Sequence, residues 1–309
     1  MILLDYHNRI IEDTLKTRFN PDNKPKPLEM DFVDFDGVSY HLATLDNQDT
    51  KIILSIRWKC WPELIRYGAM DTLRRQYSQW IVDPEPNYDF TLQFDVENLG
   101  ADPESVIRRV SLLKRNAMAS PFERAFDATT ISEKEGVWDP STSQLMEIHY
   151  RDGEAIYVKN NQDSVTVFFS TLFKDETDRV LAKVFLQEFV DARKEPQLQN
   201  APQVLYSNRE PPLELRHVPG LLDSESMGYI TFILFPRHFT PGPVREETIS
   251  RIQIFRDYLH YHIKCSKAYM HSRMRARVAE FLKVLNRAKP EIQGGEKKLA
   301  SGRTFRRAA

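Results

Sequence analysis

Residues 244–289 read VREETISRIQIFRDYLHYHIKCSKAYMHSRMRARVAEFLKVLNRAK and contain neither glycine nor proline. Pro243 and Pro290 bracket the run. Because proline lacks a backbone donor and crowds the preceding turn, the pair reads as the start and stop of a single helix. At 1.5 Å per residue that helix is about 69 Å long, more than an ordinary domain covers. Ile252, Phe255, Leu259, Ile263, Ser266, Met270, Met274, Arg277, Phe281, Val284 and Ala288 advance by threes and fours, forming one stripe down its length. Its first half also carries Tyr258, Tyr261, Cys265 and Tyr269 on the opposite side, so that half is expected to be covered on more than one side. A helix of this kind needs a partner.

The charge follows the same division. Residues 241–309 hold 16 Lys or Arg against 6 Asp or Glu, a net of +10, which leaves −11 on the first 240 residues although the whole chain is at −1. The C-terminal fifth is therefore a basic arm on an acidic body, and the balanced total gives no global field that would point to nucleic acid or membrane. The opening residues lack a positive region before Asp5, and no apolar run reaches the 18 or so residues that span a bilayer. Cys60 and Cys265 are the only cysteines. With no glycosylation sequon they imply a cytoplasmic, reducing setting, with both thiols as small core residues.

Upstream of the helix the chain reads as two copies of one α+β unit. Residues 4–19 have helical spacing and end at a proline-rich stretch. Strand-like runs follow at 28–35, 38–43 and 51–58, the first two joined by Asp36-Gly37, a strong hairpin signal. A helix is expected over 61–80, a strand over 88–96, and a helix over 103–126 with Asp102 as its N-cap. After the polar stretch 129–143 the grammar restarts. Strands at 144–150, 155–158 and 164–173 enclose Asp152-Gly153, followed by a helix over 175–193 and a strand at 203–207, the counterpart of 88–96, with a strand at 228–235 as an addition of the second copy. The two Asp-Gly turns lie 116 residues apart. Type I′ geometry would place Gly37 and Gly153 at positive φ. The expected division is 1–130, first α/β module; 131–243, second α/β module; 244–289, long C-terminal helix; 290–309, basic tail. The fold class is α+β, with mixed or antiparallel sheets and helices.

The sharp motifs of catalysis are missing: no phosphate loop, no dinucleotide-binding glycine pattern, no His-Glu-x-x-His and no Cys-x-x-Cys. These absences argue against an enzyme, a cofactor or a metal site. His260 and His262 stand two apart on the expected helix, pointing about 200° apart, and read as packing or hydrogen-bonding residues. His149 reads as a sheet residue. Of the basic residues on the helix, Arg251, Lys264, Arg275, Lys283, Arg287 and Lys289 lie about 100° or more from the stripe centre at Met270, whereas Arg256 and Arg277 fall within about 40°. The outer set is either solvated or faces an acidic partner. Arg277 inside the stripe needs a counter-charge.

The run from Phe255 to Tyr269, continued by Met274-Arg275-Ala276-Arg277 and by Phe281-Leu282-Lys283-Val284-Leu285-Asn286-Arg287-Ala288, strongly resembles the family of subunit 2 of the actin-related protein 2/3 complex. Asp34-Phe35-Asp36-Gly37-Val38, Leu113-Lys114-Arg115-Asn116, His149-Tyr150-Arg151-Asp152, Arg209-Glu210-Pro211-Pro212-Leu213-Glu214-Leu215 and Gly228-Tyr229-Ile230-Thr231-Phe232 agree with it, as does Met1-Ile2-Leu3-Leu4. The resemblance extends to about Pro290.

What the resemblance implies is a non-catalytic scaffold in an assembly that nucleates branched actin filaments, located in the cytoplasmic actin cytoskeleton, in cortical patches or other branched networks. The long helix would pair with the helix of subunit 4 through Ile252, Phe255, Leu259, Ile263, Met270, Met274, Arg277 and Phe281. Its outer basic face would meet the acidic actin filament, with Arg275, Lys283, Arg287 and Lys289 as leading candidates, Lys267 and Arg273 at the margin, and Arg209 from the second module. The other subunits, including the actin-related proteins, are further expected partners; nucleic acid and membrane are not. Two rival readings stay open at this stage, a nucleic-acid-binding adaptor using the basic helix and an enzyme without a recognisable motif.

Overall fold

The computed structural model describes residues 4–20, 26–45, 48–99, 102–136, 138, 140, 143–221, 224–287, 297–298 and 304–305. It falls into two bodies, Met1–Tyr261 and His262–Ala309.

The first body holds two five-stranded sheets. One is built from β1 (Glu29–Val33), β2 (Ser39–Leu45), β3 (Gln48–Arg57), β4 (Ile81–Val82) and β5 (Phe90–Asp95) in the order β1-β2-β3-β5-β4. The other is built from β6 (Met146–Arg151), β7 (Glu154–Asn160), β8 (Val165–Leu172), β9 (Gln203–Asn208) and β10 (Met227–Leu234) in the order β6-β7-β8-β10-β9. Both sheets are antiparallel throughout. The fold is α+β with two like modules. The matching strand order shows that β5 corresponds to β10, and the two-residue β4 to β9. The strand at 228–235 is therefore not an addition in the second copy. What grows there is the β9–β10 connection.

Gly37 and Gly153 both sit at φ +74°. The turns are nevertheless not type I′, because Asn87 and Arg209 are the only described non-glycine residues at positive φ, so Asp36 and Asp152 are not left-handed. Asp34 N–H donates to Val38 O and Gly37 N–H to Asp34 O, which makes a three-residue loop closed by a left-handed glycine. The register shift between Ile148 and Arg151 marks the same bulge in the second hairpin.

Helices differ from expectation where glycine and proline punctuate. α1 (Arg9–Arg18) starts at Asn8, whose side chain accepts from the backbone of Ile10 and Ile11. The single helix expected over 61–80 is α2 (Trp61–Arg66) and α3 (Ala69–Tyr77), broken at Gly68 with φ +95°. The helix expected over 103–126 is α4 (Pro103–Ser111), capped by Asp102, then α5 (Leu113–Ala117) and α6 (Ser120–Glu135). Pro121 restarts the chain as α6, which runs through residue 130 to a left-handed Gly136. Half of the polar stretch 129–143 is thus helical. Thr129 is fully buried, its hydroxyl facing the carbonyls of Asn161 and Ser164.

The modules join through polar contacts. β6 is an edge strand, and its outward N–H groups at Glu147 and His149 donate to the Tyr67 hydroxyl (3.0 Å) and the Glu63 carboxylate (2.7 Å). Between the two Asp-Gly hairpins lies a charged cluster: Lys114 pairs with Asp34 (2.6 Å) and with Asp36, and Arg151 with Asp36 (3.4 Å) and Glu154 (3.4 Å). Burial alone would lower the pKa of Lys114, but Asp36 and Asp34 raise it overall, so the ammonium stays charged. Cys60 is buried, and burial pushes its thiol up, whereas Cys265 is exposed rather than a core residue.

α7 (Glu176–Ala192) covers the second sheet next to β9, and α8 (Pro243–Arg287) is one unbroken helix. Of the tail expected at 290–309, the described part is β11 (Lys297–Lys298) paired with β12 (Thr304–Phe305).

Candidate protein interaction surface

The first turns of α8 are built into the first body. Ile249, Ile252 and Leu259 are buried. Phe255 lies edge-on to Phe232, ring centres 4.6 Å apart, and contacts Phe169 and Phe189. Arg256 reaches Glu154 at 2.9 Å, and Asp257 lies 3.4 Å from Arg256. Burial, then the neighbouring Asp36, pushes the Asp257 carboxyl up to about 6 against the opposing pull of Lys114 and Arg256. Arg115 on α5 donates to Ser250 Oγ (3.0 Å) and Glu246 O (2.7 Å). His260 stacks on Phe173, a packing role.

Burial ends at Ile263. From Lys264 to Arg287 every residue is exposed except Lys267, which is half-buried. Local contacts favour the helix here: Arg273 lies over the Tyr269 ring and donates to its hydroxyl (2.8 Å), and Arg277 pairs with Glu280 (3.2 Å). Tyr269, Met270, Met274, Val278, Phe281, Leu282, Val284 and Leu285 are all exposed. At 100° per residue, Val284 through Phe281, Met274, Leu285 and Val278 to Leu282 sweep about 160° of the helix. Each such side chain is worth about 1.5 to 3 kcal/mol when moved from water to a full interface.

The expected interface set divides accordingly. Ile252, Leu259 and Ile263 are buried and Phe255 is half-buried against Phe169, Phe189 and Phe232, whereas Met270, Met274 and Phe281 are exposed. Arg277 stands in the open, with its side chain 82% exposed, and pairs along the helix, so it is no buried charge. The reading also missed Val278, Leu282 and Leu285, which widen the apolar side of a half expected to have only a stripe. The doublets Phe281-Leu282 and Val284-Leu285 were the available signal.

Of the basic candidates, Arg275, Lys283 and Arg287 are exposed on the rest of the helix surface and Arg273 is committed to Tyr269. Lys289 lies outside the described residues, as do Met1, Ile2 and Leu3. Arg209 belongs to the first body, after β9, at φ +70°, beside Arg179, Lys183 and Tyr206 in an open cleft of about 590 Å³. Among the described residues no group of side chains is arranged to hold a metal ion, and no helix is long and apolar enough to cross a membrane.

Two like modules bearing a helix whose outer half exposes a broad apolar arc define an assembly subunit, a chain that needs another chain to cover it. Residues 54–292 match the family described as the Arp2/3 complex, 34 kD subunit p34-Arc. The chain is 48% identical over 321 residues to actin-related protein 2/3 complex subunit 2 of Schizosaccharomyces pombe, with both chains covered in full. It is 37% identical over 308 residues to the protein of the same name in Dictyostelium discoideum, with 99% of each covered. The chain belongs to the p34-Arc family.

Proposed function

We propose that the chain is a non-catalytic scaffold and filament-binding subunit of an actin-related protein 2/3 complex in the cytoplasmic actin cytoskeleton. The observation that carries the scaffold role is the exposed arc from Met270 to Leu285, which is too apolar to stand in water. In this reading residues 1–130 and 131–243 act as modules that carry the helix 244–289, with 290–309 as a basic tail. The helix of subunit 4 lies on Met270, Met274 and Phe281, and the other subunits, including the actin-related proteins, gather around the pair. Because the arc covers about 160°, wider than one helix seam, a second element of the assembly also touches it. Both relatives are named for this complex, which favours actin over the nucleic-acid reading.

The remaining helix surface carries Arg275, Lys283 and Arg287, and with Lys289 these face the filament. Exposed pairs contribute only about 0 to 1 kcal/mol each, so the effect has to be read on several at once. Changing all four to Glu in the assembled complex should weaken filament cosedimentation and slow branch formation, more steeply as salt rises. An intact complex that branches at the unmodified rate at two salt concentrations would refute the filament assignment. Loss of the complex itself would refute the assignment of these residues to an outer face.

A further inference from the structure

The two modules repeat each other residue for residue around their hairpins, yet treat their first strands differently. Shifted by the 116-residue repeat, Asp31 falls on Glu147 and Val33 on His149. On β6 the outward N–H groups of Glu147 and His149 are taken by Tyr67 and Glu63. On β1, Thr44 N–H donates to Leu28 O and Asp34 N–H to Val38 O, so the even-numbered residues bond inward. Alternation then turns the backbone of Glu29, Asp31 and Val33 away from β2. β1 is the last strand of its sheet, and among the described residues nothing bonds to that outer edge.

The side chains on this edge are chemically selective. Glu29 and Asp31 are both exposed, and strands seldom carry acids so densely. Asp31 accepts from the Tyr88 hydroxyl, and Glu29 meets His41, which Glu85 also engages; among the described residues no Lys or Arg pairs with either. Val33 (65% exposed) and Phe35 (87% exposed) follow them in the chain. Two copies of this chain pairing edge to edge would set Glu29 and Asp31 against the same acids, so the edge repels itself. A carboxylate cap like Glu63 would meet the same repulsion. An extended basic strand is complementary on both counts, since its backbone fills the open ladder and its cations meet the acids.

We infer that β1 is a docking edge for an extended, Lys- or Arg-containing segment of another polypeptide, which adds as a sixth strand with apolar residues against Val33 and Phe35. The inference does not depend on what covers α8.

The test uses the assembly purified from its own cells through the full chain. Val33→Cys in a Cys265→Ser background takes a benzophenone label, the buried Cys60 remaining unlabelled, and irradiation is followed by peptide mapping. The expected product joins residue 33 to a segment of a different polypeptide that carries at least two Lys or Arg within about seven residues. Glu29→Lys combined with Asp31→Lys should lower its yield at least tenfold. Asp31→Pro, which removes an outward N–H and no β1–β2 bond, should do the same in protein of unchanged melting temperature. Should the proline variant fail to fold, the charge reversal decides alone. Crosslinks to a second copy, to an acidic or helical segment, or to nothing overturn the inference, as does a yield indifferent to charge reversal.

Discussion

The Glu63 carboxylate holds His149 twice, accepting its backbone N–H at 2.7 Å through Oε2 and lying 2.8 Å from ring Nδ1 through Oε1. A helix of the first module thereby closes the open edge of the second sheet, a position where an unpaired strand otherwise invites aggregation. Glu63→Ala leaves that N–H without its acceptor. The expected loss is about 1 to 3 kcal/mol, seen as a lower urea midpoint at constant slope, with Glu63→Gln losing less because it still accepts. An unshifted midpoint for Glu63→Ala would mean that water substitutes freely at this edge.

Gly37 at φ +74° has nothing within 4 Å of where a Cβ would stand, so Gly37→Ala introduces backbone strain without a clash. The left-handed conformation should make it about 1 to 2 kcal/mol less stable, while Gly37→Asn is milder because asparagine tolerates that region. Equal stability of all three proteins would show that the turn readily rearranges.

Asp257, with its carboxyl raised to about 6, makes a pH dependence of known sign. The folded protein binds a proton there at a pH where the unfolded chain, with an ordinary carboxyl near 4, does not. The contribution of Asp257 to stability is therefore fully present below about pH 4 and is lost as pH rises through about 6. Arg256, Arg151, Lys114 and Asp36 all bear on this group. Subtracting the stability of Asp257→Asn from that of the unmodified protein, from pH 4.5 to 7.5, isolates its share. A flat difference would rule out a raised carboxyl.

Along α8, the same kind of substitution should act in opposite ways on the two halves. Leu259→Ala removes a fully buried side chain and should cost about 2 to 5 kcal/mol of folding stability. Met270→Asp and Phe281→Asp alter exposed positions, so the chain itself should keep its stability while copurification of the partner subunit is lost. Normal assembly of either Asp variant would remove these residues from the interface.

Much of this was readable in the chain because it is local. Pro243, the glycine-free run after it and the three-and-four spacing state a long helix within a few turns of any point. The Asp-Gly pairs mark hairpins within five residues, and their spacing exposes the repeat. The turn type escaped, since Asp-Gly serves both the two-residue turn and the three-residue bulged loop, and the choice depends on strand register. The strand equivalence escaped because β4 has two residues and carries almost no pattern.

What only the tertiary structure decided is which surfaces the chain closes for itself. Ile252 and Met270 stand on one stripe with the same apolar character, yet Ile252 is 6% exposed and Met270 44%. Their spacing is identical in kind; their fates differ because residues distant in sequence pack on the first turns of α8, Phe169 and Phe232 on Phe255 and Glu154 on Arg256. Likewise β1 and β6 are both edge strands by order, but only the approach of Tyr67 and Glu63, 80 and 86 residues in sequence from the N–H groups that donate to them, closes β6. Periodicity is a property of neighbours along the chain. Burial depends on residues far apart in sequence, and no local pattern encodes it.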